Sequence, residues 1–111
     1  MKNLFGTAFA AFFFCAPAQA FEGWASYYKS GHLTANGEHF LPMGLTCAHR
    51  GLAFGTKLKV KNLRNGRSVI VRVNDRGPFI RGRILDLSLG AANAIGMGGA
   101  GVAKISFDVM N

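Results

Sequence analysis

Two runs of alternating residues, joined by an Asn-Gly turn, constrain this chain more than any other feature. In Lys57-Leu58-Lys59-Val60-Lys61 the apolar residues share one face and the lysines the other. In Ser68-Val69-Ile70-Val71-Arg72-Val73, valine occupies every second position. Asn65-Gly66 lies between them. Both residue types tolerate positive φ, so the pattern predicts a β-hairpin. Similar patterning predicts strands over 23–28, over 45–49, and near the end, where Ile105, Phe107 and Val109 alternate with polar residues. Strands with one apolar face must pack that face against one another. A small barrel or sandwich does so, and a closed barrel also removes exposed edges. The alanine-rich segment 88–96 opens on Ser88 and ends on Gly96, which predicts one short helix despite Gly90. The glycine run 96–101 lacks the Lys-Ser/Thr and the following helix of a phosphate loop, and reads as a connection.

The N-terminus reads differently. Lys2, an apolar run over 4–14 and Ala18-Gln19-Ala20 form the pattern of a secretory signal peptide. The run is short for a membrane span. Cys15 raises the alternative of a lipidated cysteine, but three phenylalanines precede it where such signals carry small residues. The expected organisation is a signal peptide over 1–20 and a single domain over 21–111. The domain would be periplasmic or secreted, a monomer, and not stably inserted in a membrane. It retains one cysteine, Cys47, so packing rather than a disulfide must stabilise it. Cys47 reads as a small buried apolar residue. The net charge of +8 favours anionic partners. Nucleic acid is disfavoured by export and by the lack of a basic stripe interleaved with aromatics.

Acidic residues are scarce, five against thirteen Lys and Arg. Asp75 stands where a strand ends and the chain turns through Gly77-Pro78, between Arg72 and Arg76. A rim position suits a functional side chain. A neighbouring arginine would make it a poor proton donor, whereas burial or a nearby carboxylate would make it a good one. The residues alone leave salt bridge and catalytic acid both open. Glu38 ends the polar turn Thr34-Ala35-Asn36-Gly37-Glu38. Asp86 is read as favouring the N-terminus of the helix that follows, with a place in the site left open. Asp108 reads as a solvent-facing strand residue. His49 is either a hydrogen-bonded structural residue or a catalytic one. His32, Glu38, His39 and His49 lack the tight spacing of a zinc site, so neither metal nor cofactor is expected. No G-x-S-x-G elbow points to a serine hydrolase.

The segments GWASYY, TANGE, LTCAH, FGTKLKVKNLRNGRSVIVRVNDRGPF, GRILDLS and GVAKISFDV together resemble the rare lipoprotein A (RlpA-like) family. The resemblance covers nearly all of residues 23–109. It implies a mainly β fold, a six-stranded double-psi β-barrel with one short helix, as in barwin and expansins. It further implies an endolytic lytic transglycosylase that cleaves MurNAc–GlcNAc β-1,4 bonds of peptidoglycan glycan strands, some relatives preferring strands stripped of peptides. Carried over by position, the implied catalytic residues are Asp75, Glu38 and His49. Asp75 would serve as acid and then base. Glu38 would raise its proton affinity by like charge or order the sugar, and His49 would hydrogen-bond a carboxylate or a hydroxyl. Trp24 and Tyr28 are expected on sugar faces, with a core position equally open for Trp24. Asn36, Arg76 and Arg81 complete the expected substrate contacts, the arginines meeting lactyl carboxylates. The segment Lys29-Ser30-Gly31-His32-Leu33 is shorter than the loop of many relatives, and Cys47 stands where they usually have alanine. The rival reading is a non-catalytic, expansin-like polysaccharide-binding or wall-loosening module. Cleavage after Ala20 predicts a mature chain beginning at Phe21. Mass spectrometry of exported protein checks this, and any other N-terminus rejects it.

Overall fold

The computed structural model describes residues 20–110. The expected signal peptide therefore lies almost wholly outside the described residues. Six strands and one helix follow in order: β1 Phe21–Tyr28, β2 Thr46–Ala48, β3 Lys57–Asn62, β4 Ser68–Asp75, β5 Arg83–Ser88, α1 Leu89–Ala94 and β6 Val102–Met110. The strands close into a barrel in the order β1-β5-β2-β4-β3-β6. Two of its pairings are parallel, β1 with β5 and β2 with β4, and the other four are antiparallel. This is the six-stranded barrel with one short helix that the sequence led us to expect.

The β3–β4 hairpin sits where the Asn-Gly signal placed it, with Lys61 opposite Ser68. The turn is wider than a two-residue one. Asn62 N–H donates to the Arg67 carbonyl and Gly66 N–H to the Asn62 carbonyl, with Gly66 at φ 78. The strand that residue-level patterning had not separated is β5. Its Leu85 and Leu87 are fully buried while Asp86 between them is not, which is half-buried strand alternation. Its short length and the helix that follows directly disguise it as a helix lead-in.

Inward-facing residues fill the barrel: Leu58, Val60, Val71, Val73, Leu85, Leu87 and Ile105 are all buried. Each such side chain contributes roughly 1.5–3 kcal/mol. Cys47 is fully buried among them, and its thiol is pushed up to about 12, first by burial and then by Asp86. It is an inert apolar residue at neutral pH.

Helix α1 seals one end. The Ser88 hydroxyl accepts from Ala91 N–H and donates to the Gly44 carbonyl. At the other end Gly96, at φ 69, takes the left-handed position after the cap. Met97 N–H bonds the Ala92 carbonyl and Gly96 N–H the Asn93 carbonyl, which is the Schellman pattern. Gly90 is required by close approach: a Cβ there would lie 2.6 Å from the Met43 carbonyl oxygen. No helix among the described residues is long and apolar enough to cross a membrane.

Two β-bulges decide what faces outward. Between β2 and β4, Cys47 pairs with Val73 but Ala48 pairs with Asp75, so Asn74 is an extra residue. Between β1 and β5, Trp24 pairs with Arg83 and Ala25 with Leu85, so Ile84 is extra. Strict alternation from Val71 and Val73 would send Asp75 into the core. The bulge re-aims it outward.

A Gly90→Ala variant should lose about 1–3 kcal/mol, the usual cost of overpacking, rather than gain helix propensity. Thermal or urea unfolding reads this, and an unchanged midpoint would show that the helix can lift off residues 42–44.

Candidate active site

The bulges align four residues across four adjacent strands. Asp75 of β4 is opposite Ala48 of β2, Ala48 is opposite Asp86 of β5, and Asp86 is opposite Ser26 of β1. Paired residues share a face, and the flanking Cys47, Val73, Leu85 and Leu87 take the inner one. The row therefore lies on the outer surface. Ser26 Oγ donates to Asp86 Oδ1 at 3.0 Å. Tyr28, two residues along the same face of β1, reaches Asp75 Oδ2 with its hydroxyl at 3.5 Å. Its ring stacks on Phe40, with centroids 4.6 Å apart. Burial, then the charges of Asp75 and Asp86, raise the Tyr28 pKa well above its usual value, so the phenol keeps its proton.

Neither flanking arginine pairs with Asp75. Arg72 grips Glu38 through two bonds of 2.8 and 3.0 Å. The Arg76 guanidinium donates to the carbonyls of Leu52 at 2.7 Å and His49 at 3.2 Å, and lies 3.9 Å over the Phe54 ring. Asp75 Oδ1 instead accepts two backbone N–H bonds of 2.9 Å, from Ala35 and Arg76. Among the described residues it has no ion-pair partner.

The turn 34–38 forms one wall. Thr34 N–H bonds the Glu38 carbonyl, and Gly37, at φ 91, lets Gly37 N–H reach the Thr34 carbonyl. The Asn36 side-chain oxygen accepts from Thr34 Oγ1 at 2.6 Å and from Glu38 N–H at 3.1 Å, so it is engaged in building the turn. Three contacts dock this wall on β4: Ala35 N–H to Asp75, Asn36 N–H to the Asn74 carbonyl, and Glu38 to Arg72 and Asn74 Nδ2. Hydrogen bonds from Arg72, then Asn74 and Asn36, hold the Glu38 carboxyl down at about 2 against an ordinary 4.5. The nearest strong partner of Glu38 is thus a cation.

The remaining expected residues are spread out. His49 follows Ala48, so its imidazole lies on the other face. It meets the Phe107 ring edge-on at 5.8 Å and lines a cavity of about 220 Å³ with Phe21, Glu22, Arg50 and Ile84. His49 Nδ1 accepts from Gly51 and Leu52 N–H, both at 3.0 Å, and only its backbone N–H reaches Asp75, at the carbonyl. Burial, then Arg50 and Arg76, lower its pKa. Trp24 is 45% exposed rather than in the core, shares the Ser26–Tyr28 face of β1, and has Lys104 5.5 Å from its ring. Arg81 is exposed and makes no ion pair among the described residues. No cluster of three His, Cys, Asp or Glu among the described residues could hold a metal.

Asp86, expected to favour the helix N-terminus that follows it, stands on the outer face of β5 two residues before the cap. The first turn of α1 contains no acid, and Ser88 caps it. Burial raises the Asp86 pKa, helped by Asp75 and opposed by Ser26 and Arg83. The alternation Leu85-Asp86-Leu87 was the available sign that Asp86 faces out of a strand.

A closed six-stranded barrel with these two parallel pairings is a double-psi β-barrel. The chain belongs to the lytic transglycolase family of such barrels, whose model matches residues 20–107. A Nostoc sp. relative, named "Probable endolytic peptidoglycan transglycosylase RlpA", is 54% identical over 82% of this chain. The Campylobacter jejuni "Endolytic peptidoglycan transglycosylase RlpA" is 47% identical over 86%. The alignments cover 26% and 36% of those relatives' own lengths, so the chain spans about a quarter to a third of them. Among solved structures, Streptomyces papain inhibitor superposes with a TM-score of 0.70 at 22% identity, covering 86% of this chain and 98% of that one. A Clavibacter michiganensis expansin variant in complex with cellohexaose gives 0.68 at 23%, covering 84% and 51%. At these identities the two structures establish the fold alone.

The lowered Glu38 pKa makes the clamp pH-dependent. Its stabilisation is complete above about pH 4.5 and is lost as pH falls toward 2. Glu38→Gln should lower the melting temperature at pH 7 and flatten its fall over that acid window. Parallel melting curves for the two proteins across that range would reject the clamp.

Proposed function

We propose that this barrel is an endolytic peptidoglycan lytic transglycosylase, exported from the cytoplasm and acting on the β-1,4 bond between N-acetylmuramic acid and N-acetylglucosamine. The observation that carries the reading is Asp75: an outward carboxyl at a strand end, without a cationic partner among the described residues, walled by the 34–38 turn and Tyr28. The names borne by the relatives support it.

Asp75 first protonates the leaving glycosidic oxygen. As its conjugate base it then accepts the proton of the muramoyl C6 hydroxyl while that oxygen bonds to C1. The C1–O4 bond breaks, a C1–O6 bond forms, and the product is a 1,6-anhydro end with no water consumed. One carboxyl can serve both steps because the nucleophile belongs to the substrate, unlike the two-carboxylate hydrolase scheme. In this reading Glu38 acts through Arg72, holding the wall that presents Ala35 N–H to Asp75, and Asn36 shapes that wall. Tyr28 orients Asp75, and Trp24 offers a sugar platform farther along β1. Arg81 is free to meet a lactyl carboxylate, while Arg76 and His49 brace the 49–54 turn beside Asp75.

The second reading is a non-catalytic glycan-binding barrel, favoured by the likeness to the expansin fold. Product chemistry separates the two. Asp75→Asn should cut release of anhydro-muramoyl products from sacculi or peptide-stripped strands by about 10²–10⁴-fold while binding glycan normally. Full activity in the variant sinks the assignment. Wild-type protein that binds sacculi but releases no anhydro sugar makes this a binding module.

A further inference from the structure

Asp86 is the carboxyl that the mechanism above leaves unused, and its surroundings are those of an acid rather than of a structural charge. It sits on the outer face of β5, one strand beyond Ala48 from Asp75. Two strand spacings put their backbones about 10 Å apart, and only the small Ala48 side chain stands between them in the row. Ser26 holds Oδ1, and among the described residues Oδ2 makes no hydrogen bond. The Tyr28 hydroxyl is raised by both carboxylates and touches Asp75, so it lies in the field of both. Among the described residues no arginine forms an ion pair with either.

We propose that Asp86 is the second acid of this site, paired with Asp75 across Ala48, and that it holds the proton delivered to the leaving oxygen. The proposal rests on the transglycosylase reading and moves its first step from Asp75 to Asp86, leaving the second step with Asp75. The Asp86 carboxyl gives its proton to O4 as the C1–O4 bond breaks. The Asp75 carboxylate takes the C6 hydroxyl proton as O6 bonds to C1. The pair ends with its proton on Asp75, and return to Asp86 through Tyr28 or solvent resets it. Glu38, expected as the like-charge neighbour of Asp75, is instead paired with Arg72.

The groups that set the titration of Asp86 come from three strands: Ser26 on β1, Asp75 on β4 and Arg83 on β5 itself. Tyr28, on the same face of β1, is in turn raised by Asp86, as is Cys47 behind it on the inner face of β2. Burial and Asp75 favour its protonated form, whereas Ser26 and Arg83 oppose it. Burial beside a second carboxyl is the kind of environment by which a site sets its acid.

The test has an arm that needs no substrate. Carbon-13 NMR titration of the Asp86 carboxyl in the intact protein should give a midpoint above the ordinary 3.8. It should move down in Asp75→Asn, which removes the like charge, and up in Ser26→Ala, which removes the donor. A midpoint at the ordinary value, or one indifferent to Asp75→Asn, overturns the pair. In the second arm, Asp86→Asn should reduce anhydro-product release by about 100-fold or more, and Asp86→Glu should restore part of it. Its melting temperature at pH 7 should equal or exceed the wild type, which separates lost chemistry from lost fold. Undiminished turnover in Asp86→Asn removes Asp86 from the reaction. If the wild type releases no anhydro sugar while the titrations behave as expected, the pair stands and the transglycosylase reading fails.

Discussion

Closure of the barrel is the constraint from which the site follows. A closed sheet has one inside, and fourteen buried residues, from Ala25 to Phe107, fill it. With a side-chain period of two, a charged residue of a strand must fall on the outer face or interrupt the pattern. Arg72, between Val71 and Val73, obeys the pattern. Asp75 does not, because the same count places it inside. An unpaired carboxylate among valines would cost several kcal/mol. The bulge at Asn74 avoids that cost by shifting the register one residue before Asp75, and the bulge at Ile84 does the same before Asp86. Two irregularities, one in each parallel pair, thus bring two acids to one row.

A basic chain would ordinarily pair its few acids with its many cations. Here the cations beside Asp75 are engaged elsewhere. Arg72 is turned to Glu38, which lies on the far wall, and Arg76 is turned to two carbonyls and an aromatic ring. Asp75 receives neutral donors only, from Ala35, Arg76 N–H and Tyr28. The Glu38–Arg72 pair therefore has two effects. It fastens the turn that supplies Ala35 N–H, and it removes the guanidinium that would otherwise neutralise Asp75. Two of the stretches that carry the resemblance, 34–38 and 73–79, are in contact for this reason.

What could be read from the sequence was what depends on local pattern. The hairpin at Asn65-Gly66, the Ser88 cap and the Gly96 terminus follow from turn and cap chemistry, and the structure has each of them. The sixth strand was hidden because Arg83–Ser88 runs straight into a helix, and six residues of strand resemble a helix lead-in. The bulges were hidden because an extra residue is visible only against the partner strand. The partner of Glu38 was hidden because Arg72 is distant in sequence and Arg72 and Asp75 are close in it. The same limit applies to His49: whether an imidazole faces the groove or Phe107 depends on the strand face, and the face on the register of Ala48.

Glu38 and Asp86 then act on stability in opposite senses. Glu38, with its pKa lowered to about 2, stabilises the fold at every pH above its unfolded value. Asp86, with its pKa raised by burial and by Asp75, does the reverse: ionising it above its unfolded value costs stability. A domain without a disulfide has little stability to spare, so a half-buried strand position ought to select a residue without that cost. Serine or asparagine would meet Ser26 equally well at position 86. That an acid stands there, beside a second acid, is a local loss of stability. Such losses are characteristic of sites whose groups are set by chemistry rather than by folding.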